Sequence, residues 1–255
     1  MNNINNAFKN KSLIGFIMAG DPNLNTTKEV IISMAQAGAD MVELGVPFSD
    51  PIAESSIVQS ANLRALKAET YLPGIFEMIK EVRKTTQISI ILHSYINPIF
   101  NYGYEDFFKK CSEVNVDGIV IPDLPFEEKL EIQNFADKNN VNIISIVVPI
   151  DINRVETIAK EAKGFIYLVP SIGSTSSMEG HLKELKEIID TLKETTNIPI
   201  AIGFGINTAQ QASFFAEIAD GIIIGNGIVK IIEKYNKESP KYVFNYIKEM
   251  KNAIK

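Results

Sequence analysis

Short, nearly unbroken apolar runs recur along the chain, and the segments between them carry apolar residues at helical spacing. The runs are Leu13 to Met18, Asp40 to Leu44, Ile88 to Leu92, Gly118 to Ile121, Asn142 to Val148, Phe165 to Val169, Ile200 to Ile202 and Gly221 to Ile224. Continuous rather than alternating hydrophobicity marks parallel strands covered on both faces. Helices are predicted at about Thr27 to Ala37, Ile57 to Leu66, Leu72 to Lys84, Tyr104 to Cys111, Glu127 to Asn139, Glu184 to Thr195 and Asn226 to Lys234. Within Glu127 to Asn139, the spacing of Leu130, Ile132, Phe135 and Ala136 gives one apolar face and leaves Glu128, Lys129 and Asp137 to solvent. Asn207 stands where it can cap a helix that begins at Thr208. Eight strand–helix units in 255 residues predict an α/β fold, a closed (β/α)8 TIM barrel formed by residues 1–255 as a single domain. An open doubly wound sheet is the alternative; it would leave two edges and normally carries fewer strands.

Composition narrows the chemistry. The chain is 45% hydrophobic and 22% charged, with 25 basic and 31 acidic residues and a net charge of -6. Without a basic block it offers no electrostatic footprint to nucleic acid or to an anionic membrane. Cys111 is the only cysteine, which rules out an intrachain disulfide and a thiolate metal cluster. It falls at the end of a predicted helix, where a small buried side chain is the simpler reading. His93 and His181 are the only histidines and lie far apart, so a structural zinc site is not expected. Met1 to Ser12 is polar, and no apolar run reaches the roughly 18 residues of a membrane span. A reducing, cytoplasmic setting is the expectation.

In a barrel of this kind the strand ends and the loops after them form the active face. Alternation along the second strand puts Met41 and Glu43 on one side and Val42 and Leu44 on the other. A carboxyl at that place lies in the barrel mouth or against the helices, and a carboxyl drawn out of water is suited to proton exchange near neutral pH. A structural acid paired with a donor is the competing reading. The long loop that follows holds Ser49, Asp50, Pro51, Glu54, Ser55 and Ser56. Glu54 is either a second carboxylate facing the other end of a ligand or plain surface polarity, and Asp50 either acts or orders a turn. Tyr95, Asn97, Asp123 and Tyr167 also fall near the proposed mouth, where packing and loop shaping compete with chemistry. The stronger signal is an anion site. Gly203-Phe204-Gly205 follows the seventh strand and Gly225-Asn226-Gly227 the eighth, the latter opening a helix whose N–H groups can face a phosphate. The hydroxyl-rich run Ser171 to Ser177 follows the sixth. Neither a P-loop nor a dinucleotide fingerprint is present.

Several of these runs, taken in order, are familiar. Glu43-Leu44-Gly45-Val46-Pro47-Phe48-Ser49-Asp50-Pro51 resembles the signature of the tryptophan synthase alpha subunit family. Gly20-Asp21-Pro22, Gln59-Ser60-Ala61-Asn62, Tyr95-Ile96-Asn97-Pro98, Pro122-Asp123-Leu124-Pro125 and Gly203-Phe204-Gly205-Ile206 agree with it in order and spacing across essentially the whole chain. The resemblance implies a lyase that cleaves indole-3-glycerol phosphate to indole and glyceraldehyde 3-phosphate without a metal or organic cofactor. It implies that Glu43 is the general acid/base and that Glu54 is the second carboxylate, at the indole N–H. Tyr167 would place Glu43 and the substrate, and Gly205, Gly225 and Asn226 would receive the phosphate beside Phe204. Thr175 would be the threonine of the loop that closes the site, with Ser176 next to it. The resemblance further implies a beta subunit partner that carries pyridoxal phosphate, in an alpha2beta2 assembly, with Pro47, Asp50 and Asn97 tied to that contact.

Three positions depart from the family pattern. Its second acid is an aspartate followed by glycine and proline, where this chain has Glu54-Ser55-Ser56. Ser176 replaces a phosphate-contacting glycine, and Asn226 a common serine. These leave two expectations open: an active lyase, or a phosphate-binding regulatory partner of the beta subunit that scarcely cleaves its ligand.

Overall fold

Nine short parallel strands make one sheet: β1 (Ser12–Met18), β2 (Met41–Gly45), β3 (Ser89–His93), β4 (Gly118–Val120), β5 (Asn142–Ile143), β6 (Ser145–Val147), β7 (Ile166–Leu168), β8 (Ile200–Gly203) and β9 (Gly221–Ile224). The computed structural model describes residues 3–170, 178–203 and 205–255. The strand order is β5-β4-β3-β2-β1-β9-β8-β7-β6. Its two ends, β5 and β6, are consecutive in the chain and separated by Ile144 alone, whose N–H still donates to the Ile119 carbonyl at 2.8 Å. The sheet therefore closes on itself, and the open-sheet alternative falls. The fifth predicted strand, Asn142 to Val148, is two half-strands, one paired with β4 and the other with β7. Stagger between neighbours in a closed sheet makes such a division natural, because each end of a tilted strand faces a different partner.

Alternation sorts the side chains into two layers. Ile14, Met41, Ile91, Val120, Ala201 and Ile223 fill the barrel interior, while Val42, Leu44, Ile90 and Leu92 point out into the larger core beneath the helices. The N-terminal segment, read from sequence only as polar, contains a short helix, Ile4–Ala7, whose Ile4 and Ala7 join the interior cluster. Helices at Leu24–Ala37, Leu72–Val82, Tyr104–Glu113 and Asn226–Tyr235 fall close to their predicted places. Those at Ile96–Tyr102, Ile152–Lys160 and Ser239–Ala253 were not singled out by the pattern. Cys111 is fully buried in the helical layer, and burial pushes its thiol well above the ordinary range, as befits a packing residue.

Two local expectations are corrected. The segment expected as one helix from Glu127 to Asn139 opens with a 3-10 turn, Phe126–Glu128, and becomes α-helical only at Leu130. The change of helical period rotates the first residues, so Leu130 is 74% exposed while Lys129 is buried with its ammonium 5.0 Å from the Phe126 ring centre. Asn207 is not the cap of the next helix. Thr208 caps Ala209–Ile218 in a reciprocal box with Gln211, whereas the Asn207 amide donates to the Gly205 carbonyl at 2.8 Å.

The loop that follows β1 is fastened by an ion pair to the helix Ser56–Lys67. Arg64 makes a fork to Asp21, at 2.7 and 2.8 Å, and a third contact to Glu233 at 2.7 Å. Asp21 is buried, and that burial pushes its carboxyl up against the opposing pull of the guanidinium. Arg64→Ala leaves this carboxylate without its partner and is expected to cost about 3 kcal/mol. Urea denaturation of the two proteins measures the difference.

Candidate active site

The C-terminal ends of the strands surround a cavity of about 240 Å³. Its floor comes from the same alternation that sets the interior layer. Phe16 pairs in register with Glu43, and Gly45 with His93, which brings Phe16, Glu43 and His93 to the top of the barrel interior. Gly45 matters by what it lacks: a Cβ there would come within 3.0 Å of both the Phe16 and Met18 side chains.

Glu43 is buried, on the same face of β2 as the interior Met41. Its Oε1 lies 2.6 Å from Nδ1 of His93, its Oε2 is buried without a hydrogen-bond partner among the described residues, and the residue belongs to the lining of the cavity. The His93 ring stands edge-on to Phe16, and its Nε2 is 3.8 Å from Oε1 of Glu54. Glu54 is held from its other side, where its Oε2 accepts a 2.6 Å hydrogen bond from the Tyr95 hydroxyl. The same hydroxyl accepts the Ile52 and Ala53 N–H groups at 2.8 and 2.9 Å. Burial, followed by the adjoining Glu54 carboxylate, pushes the Tyr95 phenol up to about 12, against those two N–H groups. Tyr167 reaches into the cavity from β7 beneath Gly203, and burial and the Glu43 charge push its phenol well above the ordinary value. Both phenols remain protonated donors at neutral pH.

The loop between the two acids has a definite construction. The buried Asn62 side chain accepts the Phe48 N–H at 2.8 Å and donates to the Phe48 carbonyl. Ser55 caps the helix Ser56–Lys67 and donates to Asn226 Oδ1 at 2.8 Å. The Glu54-Ser55-Ser56 run thus starts a helix and ties the second acid's loop to the opposite wall. That wall is the anion corner. Gly205 has φ +67°, and Gly225 precedes the helix Asn226–Tyr235. The N–H groups of Asn226, Gly227 and Ile228 precede the first helical bond, Val229 N–H to the Gly225 carbonyl, so they are available to an anion at the positive end of the helix.

Glu43, Glu54, Tyr167, Gly205, Gly225 and Asn226 therefore line one cavity. Phe204, Thr175 and Ser176, with the rest of Ser171 to Ser177, lie outside the described residues. Asp123 shapes a loop by accepting the Ile96 N–H at 2.9 Å. Pro47 is buried next to Phe48 in the chain and outside the cavity lining, whereas Asp50 is exposed on the loop after β2 and Asn97 is exposed in the helix Ile96–Tyr102. Sequence reasoning missed His93, weighing it only as a zinc ligand. The signal was its place two residues beyond the inward Ile91, at the C-terminal end of a strand. A second cavity of similar volume lies between β4, β6 and the helix Ile152–Lys160. Its charged lining is Lys129 and Arg154, the latter paired with Glu127 at 2.6 Å, and no acid pair faces it among the described residues.

A family model described as tryptophan synthase alpha chain matches residues 3–255. The chain belongs to the tryptophan synthase alpha chain family. It is 42% identical over 255 residues to the alpha chain from Lacticaseibacillus casei, covering 100% of this chain and 96% of that one. Among solved structures it resembles the alpha chain from Legionella pneumophila subsp. pneumophila, with a TM-score of 0.89, 32% identity and coverage of 100% and 97%. It also resembles a chain of the tryptophan synthase a2b2 complex from Pyrococcus furiosus, with a TM-score of 0.85, 29% identity and coverage of 96% and 99%.

Within this family member, one hydroxyl holds the loop that bears the second acid. Tyr95→Phe removes the acceptor of two N–H groups and the donor to Glu54, and is expected to lower stability by about 1–2 kcal/mol. Denaturant midpoints measure that cost, and faster proteolytic cleavage near Ile52 locates it.

Proposed function

We propose that this chain is a carbon–carbon lyase that cleaves indole-3-glycerol phosphate to indole and glyceraldehyde 3-phosphate. The observation that carries the reading is the buried Glu43, with one oxygen against His93, the other without a hydrogen-bond partner among the described residues, in the lining of a cavity whose far wall is an anion corner. The phosphate lies on the N–H groups of Gly205, Gly225 and Asn226. The family resemblance adds Phe204, Thr175 and Ser176 to the residues that take part in substrate binding. The indole ring lies between the acids.

Cleavage requires the ring to accept electrons. A proton is added at indole C3 and the developing positive charge spreads to the ring N–H, which Glu54 stabilises. The hydroxyl on the carbon attached to C3 loses its proton as that carbon becomes an aldehyde. The C–C bond breaks and its electron pair returns to the ring. One proton enters and one leaves, so a single carboxyl at Glu43 serves both transfers without a net change. Tyr167 positions Glu43 and the substrate, and the anion corner fixes the glycerol chain against them.

The reading includes no cofactor in this chain and a beta subunit partner, which holds the pyridoxal phosphate, in an alpha2beta2 assembly. The similar chain from Pyrococcus furiosus belongs to an a2b2 complex, which supports this part of the reading. Pro47, Asp50 and Asn97 serve the contact, and the exposed Ile52 and Phe100, 79% and 61% accessible, lie on the loop that carries Asp50 and in the helix that carries Asn97. The whole span 1–255 acts as one domain in the cytoplasm; among the described residues no helix is long and apolar enough to cross a membrane.

Steady-state cleavage with and without a cognate beta subunit tests the proposal. Glu43→Gln is expected to lower kcat by about a hundredfold or more while phosphate affinity is retained, because the anion is held by backbone groups elsewhere. Glu54→Asp draws the carboxylate back by roughly 1 Å and out of reach of Tyr95, and is expected to lower kcat by up to about a hundredfold. No turnover under either condition, with phosphate still bound, would reject the lyase and leave the regulatory partner.

A further inference from the structure

We propose that His93 is a positioning residue for this reaction, donating its Nδ1–H to Glu43 Oε1 so that Oε2 alone faces the reacting atoms. The inference rests on the lyase reading above and adds to it a third group, one that neither the glycine-rich corner nor the acid pair contains. The 2.6 Å contact between Nδ1 and Oε1 needs a proton between the two atoms, since two lone pairs at that distance repel. The two remaining polar atoms of the pair, Glu43 Oε2 and His93 Nε2, are both buried and without a hydrogen-bond partner among the described residues. Both residues line the cavity.

Each time Glu43 gives up its proton through Oε2, a carboxylate is left in a site with little water. A donor already fixed on Oε1 stabilises that charge without reorganising. It also sets the rotation of the carboxyl group, which a single-bonded side chain does not fix by itself. The ring in turn has little freedom. It stands at the end of β3 with Phe16 edge-on to it at 5.7 Å, and its Nε2 looks toward Glu54 Oε1 at 3.8 Å. The ring meets Glu43 from β2 and Glu54 from the following loop, and Tyr167 from β7 lines the same cavity. No proton is gained or lost by His93 over the cycle; it holds the one it has.

Two measurements test this, one of them independent of turnover. The chain has two histidines, so 15N labelling of histidine gives two rings, and loss of one in His93→Asn assigns the other to His181. The His93 ring is expected to carry its proton on Nδ1, and Glu43→Gln should shift that nitrogen. A ring protonated on Nε2 alone would overturn the proposal whatever the activity. In kinetics, His93→Leu is expected to lower kcat about tenfold or more with KM for indole-3-glycerol phosphate changed by less than about twofold. His93→Asn, whose amide nitrogen sits near the place of Nδ1, should recover most of the loss, and His93→Gln, which places its amide nearer Nε2, should not. Equal kcat in His93→Leu and the unsubstituted chain would overturn the role of His93 and leave the lyase intact. Absence of turnover in the unsubstituted chain would instead reject the lyase reading itself.

Discussion

A carboxyl group on the inward face of β2 has to be housed where everything beneath it is apolar. Ile14, Met41 and Ile91 lie below Glu43 in the barrel interior, and taking an ionised carboxylate out of water costs several kcal/mol unless something compensates. Within the cavity, compensation comes from His93 on the neighbouring strand, at hydrogen-bond distance. Much of the surrounding layout follows from giving that pair room. Gly45 leaves space for the Phe16 and Met18 side chains, the Phe16 and His93 rings cross at 78°, and Tyr167 reaches over from β7 under Gly203, where a Cβ would meet its ring. The acid sits deep enough to be shielded yet has one oxygen clear of partners, which is the condition a proton-transferring group has to meet.

The second acid is secured by different means. Glu54 lies on a loop rather than a strand, and its position depends on fastenings: Tyr95 to its carboxylate, Gln59 to its carbonyl at 3.1 Å, and Ser55 to Asn226. The last of these joins the acid end of the cavity to the anion end. The serines that depart from the family pattern are thus part of how this chain shapes the loop. A longer acid reaches the Tyr95 hydroxyl, and the serine after it caps a helix where glycine and proline would supply neither bond.

The barrel was legible because its strands are continuous apolar runs and its acids fall at strand ends. The alternation of four residues put Glu43 on one face with Met41, and the structure makes that face the barrel interior. Other features depend on partners distant in sequence. His93 gains its meaning from a residue 50 positions away, and Ser55 from one 171 positions away; no spacing rule carries either. Leu130 and Lys129 were assigned the wrong faces because the opening turn of 3-10 helix rotates the residues at its junction, while Ile132, Phe135 and Ala136 keep theirs. Asn207 and Thr208 are both capable caps, and only the reciprocal bond with Gln211 decides between them.

The divided strand at Ile144 bears on how the molecule distributes its stiffness. Ladders β1–β2 and β2–β3 run in unbroken register along all of β2, whereas β4–β5 joins only Gly118 with Asn142 and Ile119 with Ile143. Few backbone bonds cross the barrel wall there, and cooperative opening begins where such bonds are sparse. The seam lies across the barrel from β1 and β2, with β3 and β4 between it and β2 on one side. Glu43 and His93 accordingly stand on the rigid staves of the cask, and any swelling of the vessel is taken up at the opposite joint.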